Sequence, residues 1–233
     1  MVIVVLHQAH LQNSNYLMIK YYIRTTGERK LDSSYSQIEY ELLVDSKHEY
    51  IDFFVDQLER IGTGDSVVIE DDCVLCKDFK RRIEEVISKY PNKVINFFQF
   101  PCHSYFKTHE SDVFLQNQCT YYPKGLTVKL AQVMRRIHKD KPQLCTDEVE
   151  NLALIELGET HIKYRPCLVQ HLNFDSMLNH LIDTLRTPWF IDYLDKLHLD
   201  CNKISEKYHK ILDREMKYHI LIKRREWERN KNA

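Results

Sequence analysis

Three consecutive carboxylates close a short apolar run in Ser66-Val67-Val68-Ile69-Glu70-Asp71-Asp72-Cys73-Val74-Leu75. Adjacent acids repel one another, and a partly desolvated one takes up a proton unless positive charge sits beside it. A divalent cation removes that cost. Carboxylate oxygens suit Mg²⁺ or Mn²⁺, which keep several waters and also hold substrate phosphates. Glu70, Asp71 and Asp72 therefore read as a metal and diphosphate site, with an acidic surface turn as the plain alternative. On the metal-site reading, Asp72→Asn should not harm the metal-free protein, because it thins three crowded charges.

The acids need an element to hold them. Val67-Val68-Ile69 is short, β-branched and preceded by the turn signal Gly62-Thr63-Gly64-Asp65, which predicts a buried strand. Around it the pattern alternates. Residues 2–6 form an apolar run suited to a strand covered on both faces. Asn13 and Ser14 can cap a helix through Ile23, although the aromatic content of 16–23 suits a strand equally. A polar loop over 27–34 leads to a second strand over 38–44, and Ser46 is placed to cap a helix carrying Tyr50, Phe53, Phe54, Leu58 and Ile61. A helix over 78–90 stops at Pro91, and an apolar strand over 94–100 stops at Pro101. Strand, helix, strand, helix, strand, helix, strand describes an α/β fold with a mostly parallel sheet flanked by helices. Such sheets bind ligands at the carboxyl ends of their strands, and His7, Asp45 and the acidic triplet all fall at such ends.

Farther on, residues 103–118 read as a polar loop. A short strand over 119–122 turns at Pro123-Lys124-Gly125 into a helix over 126–138. Thr146 can cap a helix over 147–157, which Gly158 closes, and 161–169 is the last strand. From Met177 onward the sheet pattern gives way to helical spacing, with Ile204, Tyr208, Ile211 and Ile222 on one face and a basic end near Lys223. That division predicts a domain over 1–178 and a helical C-terminal appendage over 179–233, packed on the domain or on a second copy.

Composition narrows the function classes. The chain has 233 residues, 43% of them hydrophobic, and a formal net charge of −1, so no global field recruits nucleic acid or anionic lipid. No apolar segment approaches the length of a membrane span. The start lacks a secretory leader pattern, and seven scattered cysteines suit free thiols in a reducing cytoplasm. Cys73 and Cys76 form a single Cys-x-x-Cys without the second pair a zinc site needs. With five glycines in the chain, neither a dinucleotide fingerprint nor a P-loop is present.

Several motifs in order resemble one family. Val68-Ile69-Glu70-Asp71-Asp72-Cys73-Val74-Leu75 followed by Cys76-Lys77-Asp78-Phe79 resembles the acidic metal motif of GT-A fold glycosyltransferases. The form is nearest to the lipopolysaccharide galactosyltransferase-like family and its phage-encoded relatives. Tyr121-Tyr122-Pro123-Lys124-Gly125 is similar to the strand and turn before that family's acceptor-side helix. Asp147-Glu148 resembles its paired acids, and Pro166-Cys167-Leu168-Val169-Gln170-His171 with Ser176 its closing motif. Cys167 stands where a serine is common.

The resemblance implies a GT-A-like, Rossmann-like domain and a metal-dependent, hexosyltransferase-like enzyme. It would move a sugar from a nucleotide-sugar donor to a hydroxyl on a glycan, a protein or a modified base. It implies Glu70, Asp72 and His171 around Mn²⁺ or Mg²⁺. Asp71 would face the sugar or ribose, Asp45 and His7 the donor, and Asp147 or Glu148 would act as acceptor-side base. The expected location is the cytoplasm, that of a host if the chain is phage-encoded, with homo-oligomers through the C-terminal helices. A nucleotidyltransferase using the same acids, or a non-catalytic binding protein that keeps the fold, are the rivals.

Overall fold

The computed structural model describes residues 18–47, 49–99, 108–114, 117–171 and 191–192. The expected strand over 2–6, His7, and nearly all of the C-terminal appendage lie outside these residues.

One seven-stranded sheet organises the chain. Its strands are β1 (Lys20–Thr25), β2 (Tyr40–Val44), β3 (Ser66–Glu70), β5 (Val94–Asn96), β6 (His109–Ser111), β7 (Cys119–Tyr122) and β8 (His161–Lys163). The order across the sheet is β2-β1-β3-β7-β5-β8-β6. β1 runs parallel to β2 and β3, and β5 parallel to β8, whereas β7 and β6 run antiparallel to their neighbours. The mostly parallel α/β sheet flanked by helices is as expected from the sequence. Beside it, β4 (Cys73–Leu75) and β9 (Val169–His171) form a separate antiparallel pair.

The helices fully within the described residues are α1 (Ile51–Ile61), α2 (Phe79–Lys89), α3 (Leu126–Asp140) and α4 (Thr146–Glu156). Alternation along the strands divides the core between two faces. Tyr21, Ile23, Val67 and Ile69 pack with Phe79, Ile83 and Ile87 of α2. Tyr22, Val68 and Tyr122 pack with Phe54 and Leu58 of α1, Leu130 and Met134 of α3, and Val149 and Ala153 of α4. Val67, Val68 and Ile69 are all buried, as a strand covered on both faces requires.

The differences from the sequence reading are local and have physical causes. The aromatic-rich segment before residue 25 is a strand, because Tyr21 and Tyr22 bury on opposite faces between β2 and β3. Helix α1 starts later than Ser46 suggests. Asp45 accepts from the backbone N–H groups of Glu49 and Tyr50 at 3.1 and 2.9 Å and holds a turn open in front of it. Cys145 rather than Thr146 precedes α4, and the side chain of Glu148 accepts from the Cys145 N–H at 3.0 Å, one half of a capping box. Within the polar loop, His109–Ser111 pairs as β6 with β8. The last strand is two: β8 ends at Lys163, and β9 begins at Val169 to pair elsewhere. Among the described cysteines, Cys73, Cys76, Cys119 and Cys167 are buried free thiols and Cys145 is an exposed one.

A candidate cation and diphosphate site

The site gathers at the carboxyl ends of β1 and β3. Register fixes the arrangement: Arg24 lies beside Glu70 across the β1–β3 ladder, and the Asp71 N–H donates to the Arg24 carbonyl at 3.0 Å. The acids thus leave the strand while still tied to it. Arg24 pairs with Glu70 through a close ion pair and lies over the Phe54 ring, 4.4 Å from its centroid. Thr25 donates to Asp71 Oδ2 at 2.5 Å. Arg29, from the loop after β1, donates through Nη1 to Asp71 Oδ1 at 3.2 Å and to Asp72 Oδ2 at 2.8 Å.

A one-turn 3-10 helix, Ser33–Gln37, braces the turn from below. The buried Tyr35 donates its hydroxyl proton to the Glu70 carbonyl at 2.5 Å. Ser34 Oγ accepts from the Leu75 N–H at 2.9 Å. Gln37 donates to the Cys76 carbonyl and accepts from the Phe79 N–H, supplying the N-terminal partner of α2. These contacts hold both flanks of the acidic turn.

The β4–β9 ladder delivers the histidine. Cys73, directly after Asp72, is the register partner of His171. Cys76 donates to the Leu168 carbonyl, so the alternation of an antiparallel pair leaves Cys73 and His171 in a non-hydrogen-bonded pair, where side chains stand closest. His171 Nε2 comes to 3.3 Å from Asp72 Oδ2.

Asp147 stands at the start of α4. Asn117, just before β7, donates through Nδ2 to Asp147 Oδ1 at 2.9 Å. Asp147 acts electrostatically on both Arg24 and Glu70. Behind it the buried Glu150 accepts from the Tyr122 hydroxyl at 2.7 Å. Burial pushes the Glu150 carboxyl up to about 8, with Asp147 adding to the shift and Tyr122 and Asn117 opposing it.

The electrostatics favour added positive charge. Burial raises Glu70 above the ordinary carboxylate range, Arg24 opposes the rise, and Asp72 and Asp147 add to it. Asp71 is likewise raised by burial, against hydrogen bonds from Thr25 and Arg29. Burial would also raise Asp72, but the contacts from His171 and Arg29 hold it below its usual value. Four carboxylates, Glu70, Asp71, Asp72 and Asp147, stand against the guanidiniums of Arg24 and Arg29. The acidic excess is what a divalent cation would neutralise.

The sequence-derived residues separate on this geometry. Glu70, Asp71, Asp72, His171 and Asp147 are brought together. Asp45 and Glu148 turn their carboxylates to backbone N–H groups. His7 lies outside the described residues. Sequence reasoning missed Arg24, Thr25, Arg29, Tyr35, Asn117 and Glu150. Arg24 and Thr25 end a strand, and the rule that placed Asp45 and the acids would have found them had 20–25 been read as extended. Arg29 and Asn117 sit in loops without a pattern.

The donor set fits a cation in part. Two ligands on one six-coordinate Mg²⁺ stand roughly 3 Å apart at metal–oxygen distances of about 2.1 Å. The 3.3 Å separation of Asp72 Oδ2 and His171 Nε2 is close to that. Glu70 is turned to Arg24, and no group of three such ligands gathers around one point among the described residues. Among the described residues the structure thus shows Asp72 and His171 in contact and no assembled metal site.

Among the described residues no helix is long and apolar enough to cross a membrane. No family model matches the sequence, and no curated protein matches it. A solved chain similar in structure comes from Bacillus anthracis and is provisionally assigned as a glucose-1-phosphate thymidylyltransferase, solved with sucrose. The TM-score is 0.35 at 13% identity, over 60% of this chain and 63% of that one. The present chain thus spans less than two thirds of that neighbour's length.

Proposed function

We propose that the protein is a metal-dependent glycosyltransferase that moves a sugar from a nucleotide-sugar donor to a hydroxyl acceptor. One observation carries the reading. Asp72 and His171, far apart in sequence, meet at the carboxyl edge of a mostly parallel sheet, near Glu70, on which Asp147 at a helix start acts electrostatically. Asp72 and His171 would hold Mn²⁺ or Mg²⁺, and Glu70 would remain in the outer shell with Arg24. When bound, the cation would neutralise charge developing on the nucleoside diphosphate leaving group. Asp71, which accepts from Thr25, would take a hydroxyl of the donor's sugar or ribose.

An acceptor hydroxyl is a weak nucleophile and needs a base within hydrogen-bond reach. Asp147 is that base in this reading, since Asn117 fixes one of its oxygens. Glu148 is left to cap its helix and Asp45 to shape the turn before α1.

The test is a panel of nucleotide sugars with Mn²⁺ or chelator, scored for products. Nucleoside diphosphate released with Mn²⁺ supports glycosyl transfer. Pyrophosphate formed from a nucleoside triphosphate and a sugar phosphate would replace this reading with nucleotidyl transfer. No turnover and no metal-dependent nucleotide binding would leave a binding protein.

A further inference from the structure

We propose that Glu150 is a positioning residue for Asp147, holding a proton and so leaving the Asn117 amide to the neighbouring acid. Its effect on turnover rests on the reading of Asp147 as base; the arrangement itself does not. Asp147 and Glu150 stand three residues apart on α4 and share a helix face. Asn117 Nδ2 donates to Asp147 Oδ1 at 2.9 Å. Glu150 is fully buried. Its Oε1 accepts from the Tyr122 hydroxyl at 2.7 Å, and its Oε2 is buried with no hydrogen-bond partner among the described residues. An ionised carboxylate with such an oxygen is costly, because its lost hydration is not replaced. A proton turns that orphan acceptor into a donor.

Little around Glu150 compensates a negative charge. β1 brings Arg24, which is already paired with Glu70 of β3. β7 brings Tyr122, which supplies one hydrogen bond. α3 adds the apolar Leu130 and Met134 to the same core. Asp147, on the same helix, adds a second negative charge. Burial is the largest cause, and it pushes the Glu150 carboxyl up to about 8.

Asn117 acts on both acids, since its amide also favours the ionised form of Glu150. An amide N–H bonds an ionised carboxylate about twice as strongly as a neutral acid. While Glu150 keeps its proton, Asp147 is the stronger claimant on Asn117. Once Glu150 ionises, it competes for the amide and repels Asp147.

The Asn117 side chain reports this competition directly. In protein made with isotope-labelled asparagine, its amide NMR signal is assigned by its loss in Asn117→Ser. That signal should move through a midpoint near pH 8 in wild type and stay flat there in Glu150→Gln, which mimics the neutral acid. Stability carries a second readout. The folded-state value lies above the unfolded one, so stability is full below the ordinary glutamate range and lost as pH rises toward 8. Relative to Glu150→Gln, the wild-type unfolding constant in urea melts should rise by up to about tenfold per pH unit over that range. On the base reading, wild-type kcat should fall roughly tenfold as the Asn117 contact is lost, and Glu150→Gln should not show that fall. Glu150→Ala should lower kcat with donor KM unchanged, and Glu150→Gln should restore it.

A moving Asn117 signal and a stability slope, both lost in Glu150→Gln, support the proposal. A signal that is flat in wild type, or that moves equally in Glu150→Gln, overturns it. A stability slope that Glu150→Gln leaves unchanged overturns it too, since Glu150 then holds no proton. If Glu150→Gln does not fold, Tyr122→Phe serves: removing a donor to Glu150 should raise the midpoint of the Asn117 signal, and an unmoved midpoint overturns the proposal. Absence of turnover with every nucleotide sugar would instead remove the base reading, while the NMR and melting results still decide whether Glu150 holds Asn117 on Asp147.

Discussion

At the scale of single residues, the acid pairs divide by what their oxygens touch. Asp147 accepts from Asn117 and acts electrostatically on Glu70, and Glu148 turns back to the Cys145 N–H. If Asp147 is the proposed base, Asp147→Asn lowers turnover strongly while leaving donor affinity near wild type, because a base acts on the acceptor. Glu148→Gln keeps an acceptor oxygen for the cap and should leave turnover near wild type, whereas Glu148→Ala should cost about 1 kcal/mol of stability. Steady-state kinetics with a urea melt separates the two. Loss of turnover only in Glu148→Gln would reverse the assignment.

Asp72 shows why contacts change an electrostatic argument. By charge crowding alone, Asp72→Asn should not harm the metal-free protein. In the structure its carboxylate accepts from Arg29 and faces His171, so the change leaves both less well compensated. The expected result is a loss of roughly 1–3 kcal/mol without metal. On the proposed metal site, any Mn²⁺-dependent stabilisation should shrink with it, since the cation would lose an anionic ligand. Thermal melts with Mn²⁺ and with chelator report both effects. An apo form as stable as wild type would mean that Asp72 stabilises nothing beyond the repulsion it causes.

At the scale of elements, the small β4–β9 pair matters more than its size suggests. It lies outside the main sheet, yet it carries His171 to Asp72. With Cys76 bonded to Leu168, the alternation of the ladder makes Val74 and Gln170 its next hydrogen-bonded pair. Gln170→Pro removes the Gln170 N–H from that pair without touching either proposed ligand. It should weaken Mn²⁺ binding about as much as His171→Ala does, while far-UV circular dichroism shows the main sheet retained. Unchanged Mn²⁺ affinity in a folded Gln170→Pro protein would detach the ladder from the site.

At the scale of the whole molecule, the boundary proposed near residue 178 meets a return contact. The Ile191 N–H donates to the Cys167 carbonyl at 3.0 Å, and Ile191 packs against the core on the α2 side. Asp192 accepts from the Lys77 N–H with both oxygens, at 3.1 and 3.0 Å, just before α2. A chain cut after Leu178 should therefore lose stability by about 1–3 kcal/mol, from one partly buried apolar side chain and the hydrogen bonds made at residues 191 and 192. Asp192→Ala in the full chain should lose about 1 kcal/mol of that. Donor binding should survive both changes, since the candidate ligands lie before residue 178. Equal melting of the cut and full chains would make the return contact unimportant.

The sequence alone determined the features that depend on local pattern. Val67-Val68-Ile69 with a glycine turn before it specifies a strand wherever it sits, and three acids after such a strand mark its carboxyl end as the charged end. Helical spacing placed the centres of α1, α2, α3 and α4 in the same way, and Asp147 at a helix start. Pairing was not legible, because partners come from distant segments. Only the tertiary structure set β1 beside β3 so that Arg24 meets Glu70, put Arg29 across Asp71 and Asp72, and split the last strand so that β9 carries His171 to Asp72. It also set what Asp147 and Glu148 each touch. The helix start offers both acids, and the direction each side chain takes depends on Asn117 in one case and the Cys145 N–H in the other. A carboxylate's type is local, and what compensates its charge is a property of the fold.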